Sequence, residues 1–354
     1  MTKYFIAERE YYGNDKMTAR SKARFDADDI ARKEGFEPVV FDIPDRTNFS
    51  MPRKIIWQFK IIGTWKRATA KLGSGDVLFI QCPFRDHSVF LGSVFKKLKK
   101  RGVRIVLLLH DLEKLRHLKN RNTSFFNRVK CVFEDKIIRH ADKMIVHNEK
   151  MKEVLASSGI PEEKMICLGI FDYLTGGEDV QEKDSVKDLP VVIAGNLMRE
   201  KSGYAYDLPS DVPFALYGPF YNGEGKDNID YRGSYPPEEL MSALDGSFGL
   251  VWDGPSASTC EGVWGEYLKI NNPHKTSLYL ASGLPVIIWK EAALASFIES
   301  NGAGICVGSL KDIGGIKAKI TDEEYQRMKE NTKTVGTRLR SGQYLSEALK
   351  KAVS

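Results

Sequence analysis

Short, uninterrupted apolar runs recur along this chain, and they constrain its fold more than any other feature. Arg104-Ile105-Val106-Leu107-Leu108-Leu109, Pro190-Val191-Val192-Ile193-Ala194, Phe248-Gly249-Leu250-Val251-Trp252 and Leu284-Pro285-Val286-Ile287-Ile288 are of strand length rather than helix length. Each is apolar on both faces, which is the mark of strands in a parallel sheet with helices covering either side. Helix-length segments separate them, so the order of elements predicts a doubly wound α/β architecture.

In chain order, the first half reads as strands at Tyr4–Ala7, Val39–Ile43, Asp76–Gln81, Arg104–Leu109, Lys143–His147 and Lys164–Leu168. Between them come helices ending near Lys33 and starting at Pro52, one through Phe90, Val94 and Leu98, one from Ser124 to His140, and one from Glu149 to Ser157. Ile55, Ile56, Phe59 and Ile62 recur at helical spacing and read as the core face of the Pro52 helix, with Trp57 and Trp65 flanking it. Asp26, Asp28 and Asp29 fall mid-helix and read as a solvated face. A polar, Gly-bearing stretch then interrupts the pattern before it restarts at Pro190. The expected division is an N-terminal domain over 1–172, a linker over 173–189, a C-terminal domain over 190–334 and a last helix over 335–354 that crosses back to the first domain.

The 354 residues suit two domains. No apolar run approaches the ~18 residues of a membrane span, and Met1–Glu8 lacks a signal-peptide pattern. Cys82, Cys131, Cys167, Cys260 and Cys306 show neither disulfide nor zinc spacing, so a reducing cytoplasm is the expected compartment. The net charge of +6 is concentrated in Phe95–Arg101 and Lys114–Arg121. Without interleaved aromatics these patches do not form a nucleic-acid groove; a solvated helix face and a surface loop account for them, and an anionic membrane is compatible with them.

Ser247–Lys290 carries the chemistry. A buried strand is followed by a polar loop, then by a helix opening at Pro273 and closing at Gly283. Lys275 and Thr276 stand in that helix's first turn, beside its unpaired amides and the positive end of its dipole. A cation and a hydroxyl there suit a diphosphate. A surface lysine on a Rossmann-type helix suits the same residues.

Gly195-Asn196 with Arg199 three residues on, Phe248–Trp252, Lys275, and Leu280-Ala281-Ser282-Gly283-Leu284-Pro285-Val286-Ile287 together resemble a bacterial group of glycosyltransferases. That group holds the glucosyltransferases of serine-rich adhesins and the galactofuranosyltransferases of surface polysaccharides. Thr18-Ala19 and His110-Asp111 also fit. The resemblance implies the GT-B fold, two Rossmann-like doubly wound domains facing each other across a cleft. It implies transfer of a hexose, galactofuranose or glucose, from a UDP-sugar to a glycan, glycolipid or glycoprotein acceptor. UDP-sugar is then a substrate; no cofactor and no metal is expected, since a helix terminus and basic side chains replace the cation. In this reading Arg199 and Lys275 contact the diphosphate, helped by Thr276, with Gly195, Asn196 and His274 beside them. Tyr217 or Gly218 borders the base, Thr18 approaches the donor from the first domain, and Asp111 is the base of an inverting transfer. A structural role for His110 or Asp111, as a cap or loop former, fits equally. Many GT-B enzymes hold the donor ribose with a glutamate several residues before the equivalent helix; Glu261 and Glu266 are the candidates here, and Asn271-Asn272 occupies the loop end instead. Peripheral membrane contact and a homo-oligomer are compatible with the sequence; a nucleic-acid partner is not expected. The alternatives are a UDP-sugar 2-epimerase of the same fold and a non-catalytic nucleotide-sugar-binding protein.

Overall fold

The computed structural model describes residues 1–10, 19–43, 49–84, 88, 90–112, 115, 131, 134–175, 186–223 and 226–354. The chain divides into two units. Unit 1 comprises Met1–Lys16, Ala27–Leu168 and Leu345–Ser354; unit 2 comprises Met17–Asp26 and Gly169–Tyr344. The Ala19–Lys33 helix is therefore shared between them, as is the terminal Gln343–Val353 helix.

Unit 1 is built on a six-stranded parallel sheet in the order β2-β1-β3-β4-β5-β6. Its strands are β1 (Lys3–Glu10), β2 (Glu37–Ile43), β3 (Val77–Cys82), β4 (Arg104–Leu109), β5 (Lys143–Val146) and β6 (Met165–Cys167). Ile105 to Leu109 have no exposed surface, as expected of a central strand with helices on both faces.

The Met51–Ala68 helix corrects an expectation. Ile55, Ile56 and Phe59 are exposed, and Ile62 is half-buried. The buried face is a second stripe, Ile61 and Trp65, with Trp65 against Phe41, Phe84 and Phe95 at ring separations of 4.8, 5.0 and 5.5 Å. Periodicity marks a face, but the wider aromatic surface decided which face turned inward.

The acidic cluster is corrected as well. Asp29 is exposed and paired with Arg32, but Asp26 and Asp28 are 5% and 8% exposed. Within unit 2, Asp26 accepts from the Lys22 ammonium and from the Leu174 amide at 3.1 Å. Within unit 1, Asp28 accepts from Gln81 Nε2 at 2.7 Å.

Unit 2 carries a second six-stranded parallel sheet, β12-β11-β10-β7-β8-β9. Its strands are β7 (Val191–Ala194), β8 (Phe214–Tyr217), β9 (Ile229–Tyr231), β10 (Phe248–Val251), β11 (Val286–Trp289) and β12 (Gly304–Val307). Among the elements that were not expected are β9, the Arg199–Ser202 helix, the Gly262–Leu268 helix inside the polar loop, the Ala295–Ser300 helix and the Ile313–Lys319 helix.

The His274–Ala281 helix seats unusually close to this sheet. A Cβ on Gly249, in mid β10, would fall 2.1 Å from Tyr279 Cγ. Only glycine lets the ring lie there. The Tyr279 hydroxyl in turn accepts from the Ala194 amide at 2.7 Å, so this tyrosine pins the helix both to β10 and to the end of β7.

Candidate active site

In unit 2 the chain leaves β7 toward β8 on one side and leaves β10 toward β11 on the other. The two strands are neighbours, so the order of the sheet reverses between their carboxyl ends. Open α/β sheets bind ligands at such a switch point. Gly195 follows β7 there, and Trp252-Asp253 follow β10.

Backbone geometry at the β7 end is dictated by glycine. Gly218, after β8, has φ +147, and a Cβ on it would fall 1.8 Å from the Gly195 carbonyl oxygen. Beyond Gly195, Asn196 Oδ1 accepts from the Met198 amide at 2.9 Å and turns the chain into the Arg199–Ser202 helix. The Arg199 side chain is exposed, its guanidinium 4.0 Å from the centroid of the Tyr206 ring. Stacking preorganises a guanidinium without using its donors. Tyr217 is fully buried, its hydroxyl accepting from Arg232 at 2.7 Å and from the Asp245 amide at 3.1 Å. The Gly218 backbone is itself engaged, its amide donating to the Gly233 carbonyl at 2.8 Å and its carbonyl accepting from the Tyr231 hydroxyl at 2.9 Å.

Lys275 is the central cation. Its ammonium donates to Asp253 Oδ1 and to the Trp252 carbonyl, each at 2.8 Å, and the side chains of the pair are 12% and 7% exposed. Burial pulls the Lys275 pKa down, yet the neighbouring Asp253 carboxylate outweighs it and holds it above the ordinary 10.5. The lysine is charged at any physiological pH. Of its three N–H donors these two bonds use two. Thr276 is fully buried, and its Oγ1 has no hydrogen-bond partner among the described residues. His274 stacks on Tyr173 with centroids 5.1 Å apart, and its Nε2 lies 3.3 Å from the Asp172 carbonyl oxygen. Burial, reinforced by Lys22, lowers its pKa to about 4, so it is neutral. Of the two glutamates, Glu261 precedes the Gly262–Leu268 helix and Glu266 pairs with Lys269 at 3.4 Å.

In unit 1, His110-Asp111 follow the end of β4. The Asp28 carboxylate can only accept, so Gln81 turns its amide N–H₂ toward it and its Oε1 toward His110 Nε2, at 2.6 Å. That arrangement assigns the imidazole proton to Nε2. Asp111 is half-buried near His147, whose pKa burial lowers to about 4 although Asp111 opposes it. Thr18, a further sequence candidate, lies outside the described residues.

Unit 2 thus gathers Gly195, Arg199, Lys275 and Thr276 on elements tied to one sheet edge; Asp111 belongs to unit 1. Sequence reading missed Asp253, Tyr206, Gln81 and Asp28. Asp253 had a signal: it is the carboxylate directly after an apolar strand. The others had none, because their partners are remote in sequence or aromatic residues without a motif.

Two parallel α/β sheets, the second with its switch point beside a helix N-terminus, define the GT-B class. The fold is similar to that of Anabaena HepE, solved in complex with UDP, with a TM-score of 0.55 over 99% of this chain and 100% of that one at 13% identity. Residues 3–170 match the glucosyltransferase 3-like N-terminal domain and residues 191–352 the glucosyltransferase 3-like C-terminal domain, and the chain belongs to this glucosyltransferase 3-like family. It is 36% identical to the β-1,6-galactofuranosyltransferase WbbI of Escherichia coli K12, over 99% of this chain and 98% of that one. To glucosyltransferase 3 of Streptococcus gordonii it is 25% identical, over 97% and 96%.

Proposed function

We propose that this protein is a metal-independent hexosyltransferase that moves a hexose from a UDP-sugar to a saccharide acceptor, in the synthesis of a bacterial surface polysaccharide or glycoprotein. The carrying observation is the switch point between β7 and β10, with the charged Lys275 held at its rim. Galactofuranose is favoured over glucose, because the galactofuranosyltransferase relative is the more similar at 36% identity against 25%.

In the proposed reaction an acceptor hydroxyl oxygen bonds to the anomeric carbon while that carbon's bond to the UDP oxygen breaks. The acceptor proton passes to a base, and UDP departs with the negative charge. Lys275 spends its remaining N–H on the diphosphate, Arg199 adds a second cation, and the first amides of the His274–Ala281 helix contribute the dipole. Thr276 Oγ1, unpartnered among the described residues, gains a phosphate oxygen. Asp111 is the base, and Thr18 approaches the donor. Gly195, Asn196 and Gly218 form the floor under the nucleotide, with Tyr217 supporting it from beneath. Unit 1 takes the acceptor and unit 2 the donor, at the cytoplasmic face of the cell membrane.

UDP release by the purified protein from a panel of UDP-sugars, with and without EDTA, tests this reading. Release fastest from UDP-galactofuranose and indifferent to EDTA supports it. No release from any donor, or loss of release in EDTA, overturns it.

A further inference from the structure

The Met51–Ala68 helix leaves an apolar surface in solvent. Ile55, Ile56 and Phe59 are 59%, 56% and 59% exposed, and Phe90, 46% exposed, stacks on Phe59 with centroids 5.3 Å apart. Two separate segments therefore contribute side chains to one patch, which scattered surface residues do not do. The helix sequence carries Arg53, Lys54, Lys60, Lys66 and Arg67 and neither Asp nor Glu. Arg53, Lys60 and Arg67 recur every seven residues and so run along one flank of the apolar stripe, all three exposed. An apolar stripe edged by cations, with no anion on the element, is the composition of a helix that lies in a lipid headgroup layer. A second protein surface would need no such bias.

Position strengthens the argument. In a β-α-β unit the helix starts at the carboxyl edge of its sheet. The exposed residues occupy the first half of this helix, which follows β2, and Phe90 follows the end of β3. Both therefore lie toward the edge where His110-Asp111 leave β4.

We infer that the Ile55, Ile56, Phe59 and Phe90 patch, with Arg53 and Lys60 beside it, docks this protein on an anionic lipid bilayer. The inference deepens the transferase reading and rests on it in one respect, that the carboxyl edge of unit 1 faces the acceptor.

Sedimentation with vesicles tests it, without sugar nucleotide present. Vesicles of phosphatidylethanolamine and phosphatidylglycerol should carry the protein down, and phosphatidylcholine vesicles should bind it about thirtyfold more weakly, since about fivefold is lost for each of the two flanking cations. Ile56→Glu with Phe59→Glu should lower binding by at least about tenfold, as two exposed anchors are lost. Arg53→Glu with Lys60→Glu should remove the salt-sensitive part of binding. All four side chains are exposed, and unchanged circular dichroism will confirm that the variants fold. Equal binding to both vesicle types overturns the inference, and so does no binding. Self-association in analytical ultracentrifugation that Ile56→Glu with Phe59→Glu abolishes also overturns it, by assigning the patch to a second copy of the chain. Because vesicle binding is read apart from turnover, a protein that binds lipid but releases no UDP would sink the transferase reading and leave the docking surface standing.

Discussion

Asp253→Leu isolates what the Lys275 ion pair does for the fold from what it does for a ligand. The ammonium is 2.8 Å from Asp253 Oδ1, and the two side chains are 12% and 7% exposed. Removing the carboxylate leaves a buried cation with one carbonyl partner, at Trp252. Breaking a buried pair in this way costs about 3–5 kcal/mol, far above the ~0–1 kcal/mol of an exposed pair. With an m-value of about 3 kcal/mol/M, the urea midpoint of unit 2 should fall by about 1–2 M. Hydrogen exchange on peptides from 248–289 reads that unit alone. Asp253→Leu combined with Lys275→Met should recover most of the loss, because two apolar side chains of similar volume replace the pair. The repaired double variant should nevertheless release no UDP from a UDP-sugar, since its cation is gone. The pH dependence has a fixed sign. Burial lowers the Lys275 pKa, Asp253 outweighs it, and the folded value lies above 10.5. The pair's contribution is thus fully present below that pH and is lost only as pH climbs through the folded value. Unfolding between about pH 6 and 9 should show no step from this group. A cost under ~1 kcal/mol for Asp253→Leu, or a double variant no more stable than the single, would refute the reasoning.

Arg199→Ala removes an exposed, stacked guanidinium and should leave stability within about 0.5 kcal/mol; it should cut kcat/KM about 10–100-fold through a charge-assisted contact worth about 1.5–3 kcal/mol, read from steady-state kinetics. Asp111→Asn should lower kcat by about 10²–10⁴ in steady-state kinetics; near-normal kcat would return this residue to a structural role. Gly249→Ala forces a methyl to within 2.1 Å of Tyr279 Cγ and should cost at least about 1–3 kcal/mol in thermal unfolding, with the His274–Ala281 helix displaced.

The strands were legible because burial on both faces writes itself as an unbroken apolar run, as at Arg104–Leu109 and Phe248–Val251. β9, with three half-exposed or exposed residues, wrote no such run. The Met51–Ala68 helix shows a different limit. Ile55, Phe59 and Ile62 have the spacing of a core face, but spacing does not say what covers it, and Trp65 took the interior. Asp26 and Asp28 read as solvated because an acidic helix face usually is; the Leu174 amide and Gln81 that receive them are remote in sequence. At the site, Lys275 was visible as a cation opposing a helix dipole. Its anchor, Asp253, was not connected to it, because nothing local says that β10 ends beside that helix.

The last helix of the chain has a consequence for synthesis. Leu345–Ser354 belongs to unit 1, and Arg104, at the start of β4, donates to the carbonyls of Ala352 and Val353 at 3.3 and 3.0 Å. Most of unit 1 precedes unit 2 in the chain, yet these contacts wait until unit 2 has been translated as well. The half that is made first is completed only after the second, so a fragment stopped after residue 170 would lack the piece that seals it.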